Sequence, residues 1–307
     1  MSLYGIWNEF TGTERMEELE RLTSRLENIQ AVQPILGALR TISLGSRLHA
    51  LNKGRSVQQY SERLLHILAL ITPHLRQRSP MQRQESQPME SLALLVIGSE
   101  RGLCGVFNDT AVAHAERIQA KHVEAGTKVM LMTLGRRTER AFRRWERVPV
   151  WSKPLSLTAL PPYSLAVELV SEWLQSYEQG TLDAVEVVYN VPRGIMHYEP
   201  TVVRLLPPVI PSAPAEEEWP PIIETDPLGL YTRVVELWLS ARLYQMLLES
   251  AAAEHSARYQ LLDGATQNAG RLIEELKLSL QIARQEAITA EMQDLASGAG
   301  LIGPRTA

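Results

Sequence analysis

The stretch Glu249–Leu295, ESAAAEHSARYQLLDGATQNAGRLIEELKLSLQIARQEAITAEMQDL, decides how this chain is read. It contains no proline, and none occurs between Pro227 and Pro304. Upstream, ETDPLGLY supplies a start signal, with Asp226 as N-cap and Pro227 at the first helical position. From Tyr231, apolar or small residues recur every three or four positions through Val234, Trp238, Ala241, Tyr244, Leu248, Ala252, His255, Tyr259, Leu262, Thr266, Ala269, Ile273, Leu276, Leu280, Ala283 and Ala287. The pattern predicts one helix of about seventy residues and roughly 100 Å, several times the usual length. Its interior glycines, Gly264 and Gly270, each cost about 1 kcal/mol relative to alanine. Together with Ala251–Ala253, Ala265 and Ala269, they imply a second helix packed closely against this one.

A candidate for that second helix lies at the other end of the chain. From about Glu14 to Arg78, Leu19, Leu22, Leu26, Ile29, Val32, Ile35, Leu39 and Ile42 recur at helical steps, with Thr11 and Glu14 as a capping box. Pro34 should bend or break this helix between Gln30 and Pro34, because an interior proline costs about 3 kcal/mol. RQRSPMQRQESQPMES then reads as a linker.

Between the long helices, strand and helix patterns alternate. LALLVIG, KVMLMTLG, AVEVVYNVP and TVVRLLPP read as strands; Thr110–Glu124, RRTERAFRRW and Leu165–Gln179 read as helices. The expected architecture is α/β: an antiparallel coiled coil of long N- and C-terminal helices with an inserted Rossmann-like domain and a mainly parallel sheet. The corresponding parts are residues 1–80, 81–225 and 226–307. PSAPAEEEWPP, before the last helix, reads as an acidic surface loop.

The totals exclude several classes. Hydrophobic residues at 45% and charged residues at 21% of 307 describe an ordinary globular chain. A net charge of −4 gives no basic face for nucleic acid. The apolar runs are too short to span a bilayer, and MSLYGIWNEFTGTER has no signal-peptide pattern. One cysteine and seven histidines without ligand spacing leave no zinc motif or internal disulfide.

GSERGLCGVFN, Gly98–Asn108, sits where a phosphate loop would sit. It lacks the lysine and spacing of GxxxxGK[ST], and its glycines miss the GxGxxG intervals. Gly102, Cys104 and Gly105 are therefore expected to form a structural turn, with Cys104 a small buried thiol. The basic run GRRTERAFRRWER reads as a solvated helix face, with Glu139 and Arg143 paired at i,i+4.

On these residues the chain resembles the gamma subunits of F-type ATP synthases. EHSAR, LLDGATQNAGRLIEEL and ARQEAITAEM match that family's C-terminal signature, and VIGSERGLCGVFN its middle-domain motif. ETDPLGLY and ARLYQMLLES match the entry to its long helix; IQAVQPILGALRTIS is similar more weakly. The resemblance implies a non-catalytic central rotor stalk. One copy per complex would turn inside a hexamer of alpha and beta subunits, above the epsilon subunit and the membrane c-ring. It implies no bound cofactor and a peripheral place on the cytoplasmic face of a bacterial plasma membrane. Carried over by motif, Leu39, Arg258, Arg284, Gln285, Thr289 and Glu291 are the expected hexamer contacts. Pro34, Gly37 and Leu39 replace the usual Lys- and Met-containing stretch, which suggests a divergent bacterial form. Proton and sodium coupling both stay open, since membrane subunits set the ion. A scaffold derived from such a subunit, and a nucleotide-dependent enzyme using the α/β part, are the alternative readings.

Overall fold

A computed structural model describes residues 12–75, 89–194, 197–211 and 222–299. The elements are α1 (Gly12–Ile71), β1 (Ser91–Ile97), α2 (Phe107–Glu124), β2 (Lys128–Leu134), α3 (Arg136–Arg144), β3 (Trp151–Lys153), α4 (Tyr163–Glu178), β4 (Ala184–Arg193), β5 (His197–Leu206) and α5 (Pro227–Gly298). The contacts divide the chain into two units: Met1–Arg40 with Leu262–Ala307, and Thr41–Leu261. Thr11, most of the expected linker after Leu75 and the acidic loop from residue 212 lie outside the described residues.

In the larger unit the sheet order is β3-β2-β1-β4-β5. β1 pairs in parallel with β2 and β4, and β2 with β3. β5 instead runs antiparallel to β4, so the last two strands form a hairpin. Alternation along β1 builds both faces. Ala93, Leu95 and Ile97 join a core with Leu165, Leu169 and Trp173 of α4 and Val235, Leu239 and Leu243 of α5. Leu94 and Val96 join Ala111, Val112, Ala141 and Phe142 of α2 and α3. The aromatics Tyr231, Trp238 and Tyr244 are buried as core residues. Tyr244 also receives the edge of Tyr163, with centroids 5.3 Å apart, and Lys53 Nζ at 5.5 Å.

α5 begins as its sequence predicts: Asp226 Oδ2 accepts the Gly229 N–H at 2.7 Å. In the smaller unit its buried residues, among those described, are Leu262, Ala269, Ile273, Leu276, Leu280 and Ala283, steps that follow a heptad. Arg40 donates to Asp263 Oδ1 at 2.7 Å, and a Cβ at Gly270 would lie 3.4 Å from Gln33 Nε2. Seven residues back along α1 thus match seven forward along α5, an antiparallel seam. Gly270 serves close approach there, whereas nothing lies within 4 Å of a Cβ at Gly264.

α1 corrects two expectations. It is helical from Gly12 to Ile71, with Pro34 inside, so of the bend or break expected between Gln30 and Pro34 the break does not occur. Pro34 is exposed, and Ile29, Gln33 and Leu36, less exposed than it, keep the seam continuous past it. Packing along the helix outweighs one lost hydrogen bond. The apolar stripe also leaves the seam after Ile29. Val32, Ile35 and Ile42 are 48%, 58% and 61% exposed, while Gln33, Leu36 and Arg40 take the less exposed positions. Three successive steps of three carry Leu26, Ile29, Val32 and Ile35 around the helix, but a supercoiled pair holds a 3.5-residue period.

Candidate functional site

Two places gather the residues singled out by the sequence: the loop after β1, in the larger unit, and the outer face of α5, in the smaller one.

The loop Gly98–Val106 is packed by side chains. A Cβ at Gly98 would sit 1.6 Å from Thr138 Oγ1 and 2.7 Å from Asn108 Oδ1, so only glycine admits these neighbours. Asn108 Oδ1 accepts from the Ser99 N–H (2.9 Å) and from Thr138 Oγ1 (3.1 Å), and Asn108 Nδ2 donates to Ser99 Oγ (2.9 Å). Gly135, at φ +94°, brings the start of α3 against the Ser99 carbonyl. Gly102 lies against the Arg137 guanidinium, Leu103 and Gly105 take left-handed backbone, and Cys104 is buried. Burial pushes the Cys104 thiol up, with a hydrogen bond to Ser99 acting against it, which keeps the sulfur protonated and poorly nucleophilic at neutral pH. The signal for Asn108 and Thr138 was present in VFN and GRRT, but periodicity gives no reason to pair them.

Arg258 is buried beside this loop. Its Nε donates to the Gly102 carbonyl at 3.3 Å, and its Nη atoms reach Glu254 and His255 Nδ1. Burial pushes the Glu254 carboxyl up, against the pull of Arg258. Burial, then the Arg258 charge, lowers His255 to about 4. The folded chain therefore holds His255 neutral while the unfolded chain takes up its proton near pH 6.5. Acidification from pH 6.5 towards pH 4 favours unfolding by about 2 kcal/mol through this group. Denaturant melts across that range should show this slope in the natural chain and lose it in His255→Gln; equal slopes would remove His255 as the cause.

Of the small residues of α5 expected to admit a second helix, Gly270 does so against α1, but Ala253 has a partner of a different kind. Ala253 and Ala257 pack on Cys104 and Phe107, with Tyr198 alongside, so they admit a loop and an aromatic ring. The basic run on α3 is solvated and paired as expected: Arg143 to Glu139 at 2.8 Å, Arg144 to Asp109 at 2.6 Å, Arg136 to Glu100 at 3.2 Å.

In the smaller unit, Arg284, Gln285, Thr289 and Glu291 are all exposed, and Leu39 is half-buried. Their spacing along α5 is informative. Gln285 and Thr289 fall in one row with Leu278, Ile282 and Met292, nearly opposite the seam. Arg284 and Glu291 fall in the neighbouring row with Ile288 and Leu295. These apolar residues are 61%, 47%, 66%, 59% and 68% exposed in the order Leu278, Ile282, Met292, Ile288, Leu295. Thr289 Oγ1 donates back to the Gln285 carbonyl at 2.8 Å. Met16, Val32 and Ile35 add exposed apolar surface from α1. Among the described residues no helix is long and apolar enough to cross a membrane.

The family model described as ATP synthase matches residues 18–300. An ATP synthase gamma chain of Pelotomaculum thermopropionicum is 31% identical over 94% of this chain and 100% of its own length. That of Wolinella succinogenes is 26% identical over 91% of this chain and 97% of its own. In a solved structure of the Euglena gracilis mitochondrial ATP synthase, described as OSCP/F1/c-ring in rotational state 3, one chain shares the fold. The TM-score is 0.60 at 14% identity, over 95% of this chain and 98% of that one. Long terminal helices around a five-stranded, mainly parallel sheet, together with these matches, place the protein: this chain belongs to the ATP synthase gamma-chain family.

Proposed function

We propose that this chain is the non-catalytic central stalk of a bacterial F-type ATP synthase, one copy per complex, peripheral on the cytoplasmic face of the plasma membrane. Its partners are the alpha and beta subunits around the helices, and the epsilon subunit and c-ring at the α/β domain. Residues 1–80 and 226–307 serve as the shaft and residues 81–225 as the foot. The observation that carries this reading is the double row on α5. Leu278, Ile282, Ile288, Met292 and Leu295 are exposed although the seam with α1 is already filled. Large apolar side chains gathered on one face mark an interaction surface.

The chemistry fits a mechanical role. An asymmetric shaft cannot touch three equivalent beta subunits alike, so each catalytic site is held in a different state. Shifting a two-state equilibrium from 1:99 to 99:1 takes about 5.5 kcal/mol of differential interaction. One exposed ion pair supplies roughly 0–1 kcal/mol. The load is shared by the apolar rows with Leu39, Arg284, Gln285, Thr289 and Glu291 among them. Arg258 is buried by its own chain, against the loop after β1.

The native mass of the complex formed in host membrane extracts tests this reading. A particle of several hundred kilodaltons with three alpha-like and three beta-like chains per copy is expected, and the isolated chain should bind no ATP in calorimetry. A free monomer or self-dimer, in extracts that preserve the ATPase, would favour a scaffold. Tight stoichiometric ATP binding would favour an enzyme.

A further inference from the structure

Two buried arginines, one from each long helix, reach the same edge of the sheet in the larger unit. Arg47 of α1 donates from Nε to Ser256 Oγ at 2.8 Å and from an Nη atom to the Gly194 carbonyl at 2.7 Å. Gly194 follows the C-terminal end of β4. Arg258 of α5 holds the Gly102 carbonyl, in the loop after the C-terminal end of β1. β1 and β4 are parallel neighbours, so both carbonyls lie at one edge. Ser256 and Arg258 are separated by one residue on α5, and Ser256 in turn donates to the Ala252 carbonyl at 2.9 Å. Phe107 meets Tyr198 edge-on, with centroids 5.4 Å apart, in one cluster with Ala253 and Ala257. Asn190 Nδ2 donates to the Phe107 carbonyl at 2.8 Å, tying β4 to the start of α2.

The choice of arginine matters. Both residues are only 8% exposed. Arg47 meets a hydroxyl and a carbonyl here, and Arg258 spends one of its donors on a carbonyl beside its ion pair with Glu254. Burying the Arg47 guanidinium against neutral acceptors, like burying the Arg258–Glu254 ion pair, is an expensive way to gain stability, and an apolar residue of similar size would pack more cheaply. What the planar fork gives is direction: several donors held at fixed angles across two elements. We propose that Arg47 and Arg258 are positioning residues that together clasp the C-terminal edge of the sheet to the two helices, making helix and foot in this unit stiff enough to carry torque. This rests on the central-stalk reading for its consequence, though not for the clasp itself.

The test has two arms. Hydrogen exchange on the full-length chain reads the clasp alone. Arg258→Ala should speed exchange about tenfold in Ser99–Val106 and leave the Gly194 end of β4 unchanged, and Arg47→Ala should do the reverse. Unchanged exchange in both variants overturns the clasp. Should an alanine variant fail to fold, Arg47→Lys and Arg258→Lys, which keep the cation but not the planar fork, carry the same comparison with a smaller acceleration. In the assembled complex in vesicles, the double alanine variant should hydrolyse ATP at close to the normal rate. Its ions pumped per ATP should fall several-fold, with partial recovery in the double lysine variant. A normal ratio despite faster exchange overturns the role in torque. Failure of the natural chain to enter any pumping complex would sink the stalk reading and leave the exchange result standing.

Discussion

Gly98→Ala is expected to lower the unfolding free energy by about 3–5 kcal/mol, a large part of the margin of a typical domain. Its new Cβ would lie 1.6 Å from Thr138 Oγ1 and 2.8 Å from Thr138 Cβ, both buried. Rotating the threonine hydroxyl away relieves the first overlap but breaks its bond to Asn108, and the second overlap persists. Asn108 cannot yield either, because its amide is committed to Ser99 on both atoms. The strain then has to move the start of α3 or the end of β1, and these meet at Gly135 with no spare room. Adding Thr138→Ala to Gly98→Ala removes the hydroxyl and should restore part of the loss. Denaturant midpoints of the single and double variants measure this. A single variant as stable as the natural chain would refute the packing account of this loop.

The second large effect concerns the outer rows of α5. Leu278→Asp with Ile282→Asp should leave the isolated chain as stable as before within about 0.5 kcal/mol per site, because both side chains are exposed. In the complex those carboxylates would be pressed into an interface without partners, at a cost of several kcal/mol. Assembly or ATP-driven pumping should fall at least tenfold. Leu276→Asp and Leu280→Asp, about half a turn away on the buried seam, should instead destabilise the chain itself by about 3 kcal/mol. Native-gel assembly and thermal melts of the two pairs separate the cases. Normal assembly and pumping by the outer pair would remove these rows from the proposed hexamer surface.

Much of this was legible in the order of residues. The long α5, its seam from Leu262 to Ala287, the N-cap at Asp226 and the alternation of strands and helices follow from local propensity and periodicity, which each segment carries within itself. So does the failure of Gly98–Asn108 to meet a phosphate fingerprint. Other features depend on what lies across a gap. Which of two helical rows in α1 faces α5 is set by the joint period of the pair, so Val32 and Ile35 point outward although their steps look like core. Pro34 stays inside a helix because packing around it outweighs its local cost. β5 turns back on β4 where alternation suggests only another strand, and β3 is too short to show a pattern. Arg258 looks like an exposed helical cation until the loop after β1 folds over it. A sequence states what each side chain prefers; only the tertiary structure decides which neighbour answers it, because burial and hydrogen bonding are properties of pairs.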